Sequence, residues 1–156
     1  MRGGVLTLVA AGALTATAAG AAPVPPLTAL ARPGFAGARP VALTVKARFA
    51  ELQCGRVVRG PLVLGLPPAE RVPRRIAASA VTIDGVPVAA VRVSGETLTL
   101  QPQPPRGAIC DVIGPGTVTV AVKRGAGVGN PRRAGSYRVR LRLGAQTVTG
   151  RLVVSR

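Results

Sequence analysis

The 156-residue sequence sets 21 Lys and Arg against five Asp and Glu, contains no His, and carries a formal net charge of +16. Without His there is no Ser-His-Asp or Cys-His constellation, and two Cys alone are too few for a soft-ligand metal site. The five carboxylates, Glu51, Glu70, Asp84, Glu96 and Asp111, show no convergence on one cleft of the kind a two-carboxylate hydrolase needs, so neither an enzyme nor a bound metal or cofactor is expected.

The chain opens MRGGVLTLVAAGALTATAAGAAPVPP: a cationic start at Arg2, an apolar run from Val5 to about Ala19, then small residues. That is the layout of a secretory signal peptide. Ala19-Gly20-Ala21 places cleavage after Ala21, giving a signal segment over 1–21 and a secreted or envelope-associated mature chain without a transmembrane span. The alternative is an uncleaved anchor, since residues 4–22 are nearly long enough to cross a bilayer, but the run is mostly Ala, Gly and Thr. Export agrees with the cysteine count: Cys54 and Cys110 read as one disulfide. Closing a loop of that size destabilises the unfolded chain by about 4 kcal/mol.

Residues 22–40, APVPPLTALARPGFAGARP, are rich in Pro, Gly and Ala without a sustained period and read as a linker. From Val41 the pattern becomes short β-branched runs separated by turn signals. VALTVKARF (41–49) and PLVLGLP (61–67) are strands, and AERVPRRIAA between them and the next is an irregular crossing. AVTIDGVPV (80–88) folds back at Asp84-Gly85, a pair suited to positive φ, and AAVRVSGETLTLQP (89–102) folds back at Ser94-Gly95. GTVTVAVKR (116–124), SYRVRLRL (136–143) and TVTGRLVVS (147–155) follow, the last two joined through Gly144-Ala145-Gln146.

No segment shows a capped helical period. The expectation is an all-β, immunoglobulin-like β-sandwich of about eight strands over 41–156. Its core must be aliphatic, because Phe35, Phe49 and Tyr137 are the aromatic residues. The inward set is Val41, Leu43, Val45, Leu62, Leu64, Val81, Ile83, Val91, Val93, Leu98, Leu100, Val118, Val120, Val122, Val139, Leu141 and Leu152.

Two stretches invite a functional reading. Gly125, Gly127 and Gly129 imitate a phosphate-binding loop, but the spacing is G-x-G-x-G, Asn130-Pro131 follows, and what comes next is a strand rather than the helix whose N-terminus receives a pyrophosphate. Turn chemistry explains them better. In SYRVRLRL, alternation sends Tyr137, Val139, Leu141 and Leu143 to one face and Arg138, Arg140 and Arg142 to the other. Three guanidinium groups about 7 Å apart, with Arg132 and Arg133 just upstream, offer forks matched to phosphate and carboxylate. An anionic polymer such as teichoic acid, acidic polysaccharide, lipopolysaccharide or released DNA is the matching partner, another surface protein being the alternative. The bland reading is a solvated outer face whose charge discourages edge pairing. It gains weight because 19 of the 21 cations are Arg in an Ala-, Gly-, Pro- and Val-rich chain, a bias that genome composition produces by itself. Single-strand nucleic-acid readers stack bases on aromatics, so sequence-specific nucleic-acid recognition is not expected.

The order ASAVTIDGVPVAAVRVSGETLTLQP, GPGTVTVAV and GAGVGNPRRAGSYRVRL resembles an uncharacterised group of secreted bacterial surface modules, whose segments run VTVNGV...VSVSGNTVTI, GGTVTVV and AGIxNPxxAGTYTLTV. The resemblance covers about residues 60–143. It rests most on Asn130-Pro131, Ala134-Gly135 and Tyr137, and it implies an immunoglobulin-type sandwich with no catalytic residues. Tyr137 has two structural readings, a tyrosine corner whose hydroxyl bonds nearby backbone or a plain core aromatic. The function expected is a non-catalytic secreted module with a structural or binding role at the cell surface. The alternative is a secreted cationic protein acting on membranes or extracellular nucleic acid.

Overall fold

Among the described residues ten strands form, the longer ones largely where apolar residues alternate with polar ones: β1 Leu27–Arg32, β2 Ala42–Gln53, β3 Leu62–Gly65, β4 Val81–Ile83, β5 Val86–Pro87, β6 Ala90–Ser94, β7 Thr97–Gln101, β8 Ile113–Val122, β9 Gly135–Leu143 and β10 Gln146–Val154. The computed structural model describes residues 26–55, 58–104 and 112–156. The signal segment expected over 1–21 lies outside these residues, as does Cys110, the second half of the expected bridge. No α-helix forms among the described residues; Ala78–Ala80 and Arg124–Ala126 are single 3-10 turns.

The strands hydrogen-bond in the order β5-β4-β8-β2-β1-β10-β9-β3-β7-β6, one continuous curled sheet rather than the two stacked sheets of about eight strands that the sequence suggests. The physical reason is β1. It lies inside the stretch 22–40 expected to be a linker, yet LTALAR alternates buried and exposed positions. It pairs antiparallel with β2 over Leu27↔Ala47 to Arg32↔Ala42 and parallel with β10 at Thr28↔Arg151 and Ala29↔Leu152. Without it, β2 and β10 would be free edges of separate sheets. The Pro-, Gly- and Ala-rich surroundings hide six residues of period-2 pattern.

The sheet curls far enough that its two edges are consecutive in sequence. Between β5 and β6, Val88 donates its N–H to Val81 O at 3.1 Å and Ala89 donates to Gln101 O at 2.8 Å, so one short link crosses the seam. The turns follow local chemistry. Asp84 and Gly85 both take positive φ, 49° and 82°. The β6–β7 turn is centred on Gly95-Glu96, one residue beyond the expected Ser94-Gly95, because Ser94 pairs with Thr97. The β9–β10 turn is Gly144-Ala145, since Leu143 pairs with Gln146.

Inside the curl sits one aliphatic core. Leu43, Val45, Leu62, Leu64, Val81, Leu98, Leu100, Val118, Val120, Val139, Leu141 and Leu152 are buried as the alternation requires, and Leu27, Phe49, Leu52, Val128, Val148 and Val154 join them. Val91 and Val93, on the β6 edge, pair with inward Leu100 and Leu98 but are only half-buried where they pack against the core. Each fully buried aliphatic side chain contributes about 1.5–3 kcal/mol relative to exposure.

Two features of this core generate measurable consequences. Gly150, on the inward side of β10, is where β1 approaches most closely: a Cβ there would overlap the Leu27 carbonyl oxygen and come within 2.7 Å of Leu27 Cδ2. Gly150→Ala should therefore cost about 2 kcal/mol in urea unfolding, whereas Thr149→Ala, on the exposed side, should change stability by less than about 0.5 kcal/mol; equal effects would remove β1 from its joining role.

Glu70 is buried at 5% exposure with neither carboxylate oxygen hydrogen-bonded, and burial pushes its pKa from 4.5 up to about 8. Between those values the folded chain holds a proton that the unfolded chain has released. Stability is thus full below about pH 4.5, falls by about 1.4 kcal/mol per pH unit as pH rises toward 8, and levels off above. Glu70→Gln should abolish this slope in urea titrations between pH 5 and 8; a wild-type slope in the variant would assign the pH dependence elsewhere.

Candidate anion-binding face

On β9 the expected alternation holds: Arg138, Arg140 and Arg142 are exposed, while Val139, Leu141 and Leu143 are buried and Tyr137 is half-buried. Antiparallel pairing with β10 sets Arg138 opposite Arg151, Arg140 opposite Thr149 and Arg142 opposite Thr147. Arg151 is exposed. Its parallel neighbour on β1 is Thr28, whose antiparallel neighbour on β2 is Lys46. One row across four strands therefore reads Lys46, Thr28, Arg151, Arg138, at about 4.8 Å per strand.

The outward positions of these strands also include Arg48 on β2 and Arg32 on β1. Seven cations thus share one face: Arg32, Lys46, Arg48, Arg138, Arg140, Arg142 and Arg151. Among the described acids, Glu96 and Asp84 lie in hairpin turns, and Glu51 is exposed on β2 inside the irregularity between Phe49 and Leu52. Among the described residues no carboxylate forms an ion pair with any of the seven.

Arg132 and Arg133 are exposed in the loop that enters β9, at the end of this face rather than on it. The loop is anchored by Tyr137, whose hydroxyl donates to Arg133 O at 2.7 Å. That backbone bond four residues upstream is the tyrosine-corner reading of this residue. Lys46, Arg48, Arg32 and Arg151 escape sequence reasoning. Each sits in the polar phase of an alternating strand, which is legible; that their strands neighbour β9 is a matter of topology.

The glycine-rich stretch before β9 has a structural occupation. Gly127 takes φ 74°. Gly129 exchanges backbone hydrogen bonds with Arg71 at 3.0 and 2.9 Å. Asn130, fully buried, donates from Nδ2 to Pro33 O and Phe35 O, both at 2.9 Å, and its backbone N–H donates to Ala38 O at 2.9 Å. Val128 O accepts from Val41 N–H at 2.8 Å, and Arg39 Nε donates to Gly127 O at 3.1 Å. These bonds pin residues 33–41 to the sheet, while Asn130 Oδ1 is buried without a hydrogen-bond partner. A Cβ at Gly129 would come within 3.0 Å of Arg39 Cβ, so glycine there serves close packing.

No helix of the described residues is long and apolar enough to cross a membrane, and they hold no cluster of three or more potential metal ligands. A shallow depression of about 390 Å³ is lined by Glu51, Gln53, Arg59, Ile113 and Gln146. The Gln146 side chain pairs with the Glu51 backbone as a peptide would, accepting from Glu51 N–H at 3.1 Å and donating to Glu51 O at 2.9 Å.

No family model matches the chain, and no curated protein matches it. Among solved structures it is similar to one described as the crystal structure of BslA, a bacterial hydrophobin, with a TM-score of 0.50 at 14% sequence identity, covering 83% of this chain and 96% of that one. At this identity the likeness concerns the fold: an all-β domain of this kind occurs in a solved bacterial protein.

Proposed function

We propose that the protein is a non-catalytic exported module of the bacterial surface, belonging with the secreted surface modules its closing motif resembles, and that it docks anionic envelope polymers through its arginine face. The observation that carries the reading is the row Lys46, Thr28, Arg151, Arg138, which extends the β9 stripe across four strands without a compensating acid among the described residues. A stripe on one strand is what any exposed strand of an arginine-rich chain would carry. Cations aligned in register on neighbouring strands make a two-dimensional field that focuses potential on polyanions, and guanidinium forks bind phosphate and carboxylate through charge-assisted bonds.

Surface residence is supported by the signal-like opening, and the solved structure of similar fold is that of a bacterial hydrophobin. In this reading the two arms of the curled sheet act as the walls of an immunoglobulin-like sandwich hinged at β1, closed by a Cys54–Cys110 disulfide. Cys54 follows β2 directly, and its N–H donates to Val112 O at 2.7 Å, two residues from Cys110 in sequence.

Two measurements test the reading. Replacing Arg132, Arg133, Arg138, Arg140 and Arg142 by Gln should weaken binding to a sulfated or phosphorylated polysaccharide matrix by at least about tenfold at low salt and flatten its salt dependence. Equal retention of variant and wild type would end the proposal. For the bridge, intact-mass analysis of protein exported by its producing cells should show two alkylated cysteines only after reduction; alkylation without reductant would mean free thiols.

A further inference from the structure

The arginine face is not uniformly polar. Three of the exposed large apolar side chains are Leu30 at 52%, Phe35 at 50% and Val153 at 70% exposure, and pairing brings them together. Thr28↔Arg151 and Ala29↔Leu152 fix the parallel register of β1 on β10, and Leu30 and Val153 are the next residue of each strand, both in the outward phase. Phe35 pairs in parallel with Ser155, two residues beyond Val153 and in the same phase, so it lies on the same face. Its segment is fixed to β10: Ala36 N–H donates to Ser155 O at 2.9 Å, and Ser155 N–H donates to Gly34 O at 2.9 Å. The patch is therefore a built feature of the sheet.

Cations border it. Arg151, Arg138 and Lys46 occupy the row immediately below, and exposed Arg32 lies two residues beyond Leu30 on β1. Apolar side chains in the centre and guanidinium groups at the margin match the cross-section of an anionic bilayer surface, with phosphates outside and acyl chains beneath. A second copy of the chain is a poor occupant. A self-facing patch would bring the rows of Arg138 and Arg151 against their own kind, and three apolar side chains fall well short of the ~800 Å² per partner of a stable interface.

We infer that this patch seats the protein on anionic lipid, Leu30, Phe35 and Val153 entering the headgroup–acyl boundary while Arg32, Arg138, Arg151 and Lys46 bind lipid phosphates. The inference rests on the arginine face proposed above and narrows its ligand from polymer charge to an amphiphilic surface.

The chain contains no Trp, so Leu30→Trp is a single-site reporter. With phosphatidylglycerol vesicles its emission should shift to the blue and be quenched by brominated acyl chains, and with phosphatidylcholine vesicles it should do neither. The triple variant Leu30→Ser, Phe35→Ser, Val153→Ser, changed only at exposed positions and checked for wild-type thermal unfolding, should bind phosphatidylglycerol vesicles at least about tenfold more weakly. It should keep its binding to a soluble sulfated polysaccharide. An unshifted Leu30→Trp emission on bound vesicles, or unchanged vesicle affinity of the triple variant, overturns the lipid inference and leaves polymer docking standing. Failure of the wild-type chain to bind either vesicles or polysaccharide overturns both.

Discussion

The two-sided pairing of β1 is the constraint on which the architecture depends. A six-residue strand that bonds β2 on one side and β10 on the other turns two potential sheets into one. It also creates the one parallel pair of named strands in the described sheet, between segments at opposite ends of the described chain. Close approach is possible because β10 presents Gly150 where Leu27 arrives. Leu27 itself is almost fully buried, so the joint is both a hydrogen-bonded seam and a part of the core.

A sheet curled this way divides its residues by phase. Inward positions of β2, β8, β9 and β10 hold chiefly Leu, Val, Ala and Phe; outward positions of β2, β1, β10 and β9 hold chiefly Thr, Lys and Arg, with Leu30 and Val153 among them. The register that packs the core therefore also aligns the cations, because in a strand a side chain's face follows from its parity. A one-residue slip of β10 against β9 would move Arg151 into the core and Leu152 out. Arg alignment on the outside is thus protected by hydrophobic burial on the inside, and the face needs no ion pairs of its own to keep its shape.

The remaining polar machinery is spent on holding loops. Asn130 gathers residues 33–38, Tyr137 gathers the 131–134 loop, Asp84 accepts Thr119 N–H at 2.7 Å beside the β4–β8 pairing, and Gln146 ties the β9–β10 turn to Glu51. These bonds fix the segments that carry Phe35, Arg132 and Arg133. Glu70 stands apart. Its carboxyl is buried without a partner, and the protonated form is the one that burial favours.

Period-2 alternation, turn pairs and the absence of capped helical periods determined the all-β class, the inward set and the outward stripe of β9 from sequence alone, because these depend on residues close in the chain. Asp84-Gly85 is an example: both residues take the positive φ that their chemistry favours. The sheet's unity, the row that joins Arg138 to Lys46, and the patch of Leu30, Phe35 and Val153 were decided by tertiary structure. Each requires that residues 27–35 lie against residues 151–155, and no local pattern encodes a pairing between segments more than a hundred residues apart. The Pro-, Gly- and Ala-rich composition around β1 even points away from it. What places β1 there is the burial of Leu27 and Ala31 and the paired hydrogen bonds that β2 and β10 would otherwise lack.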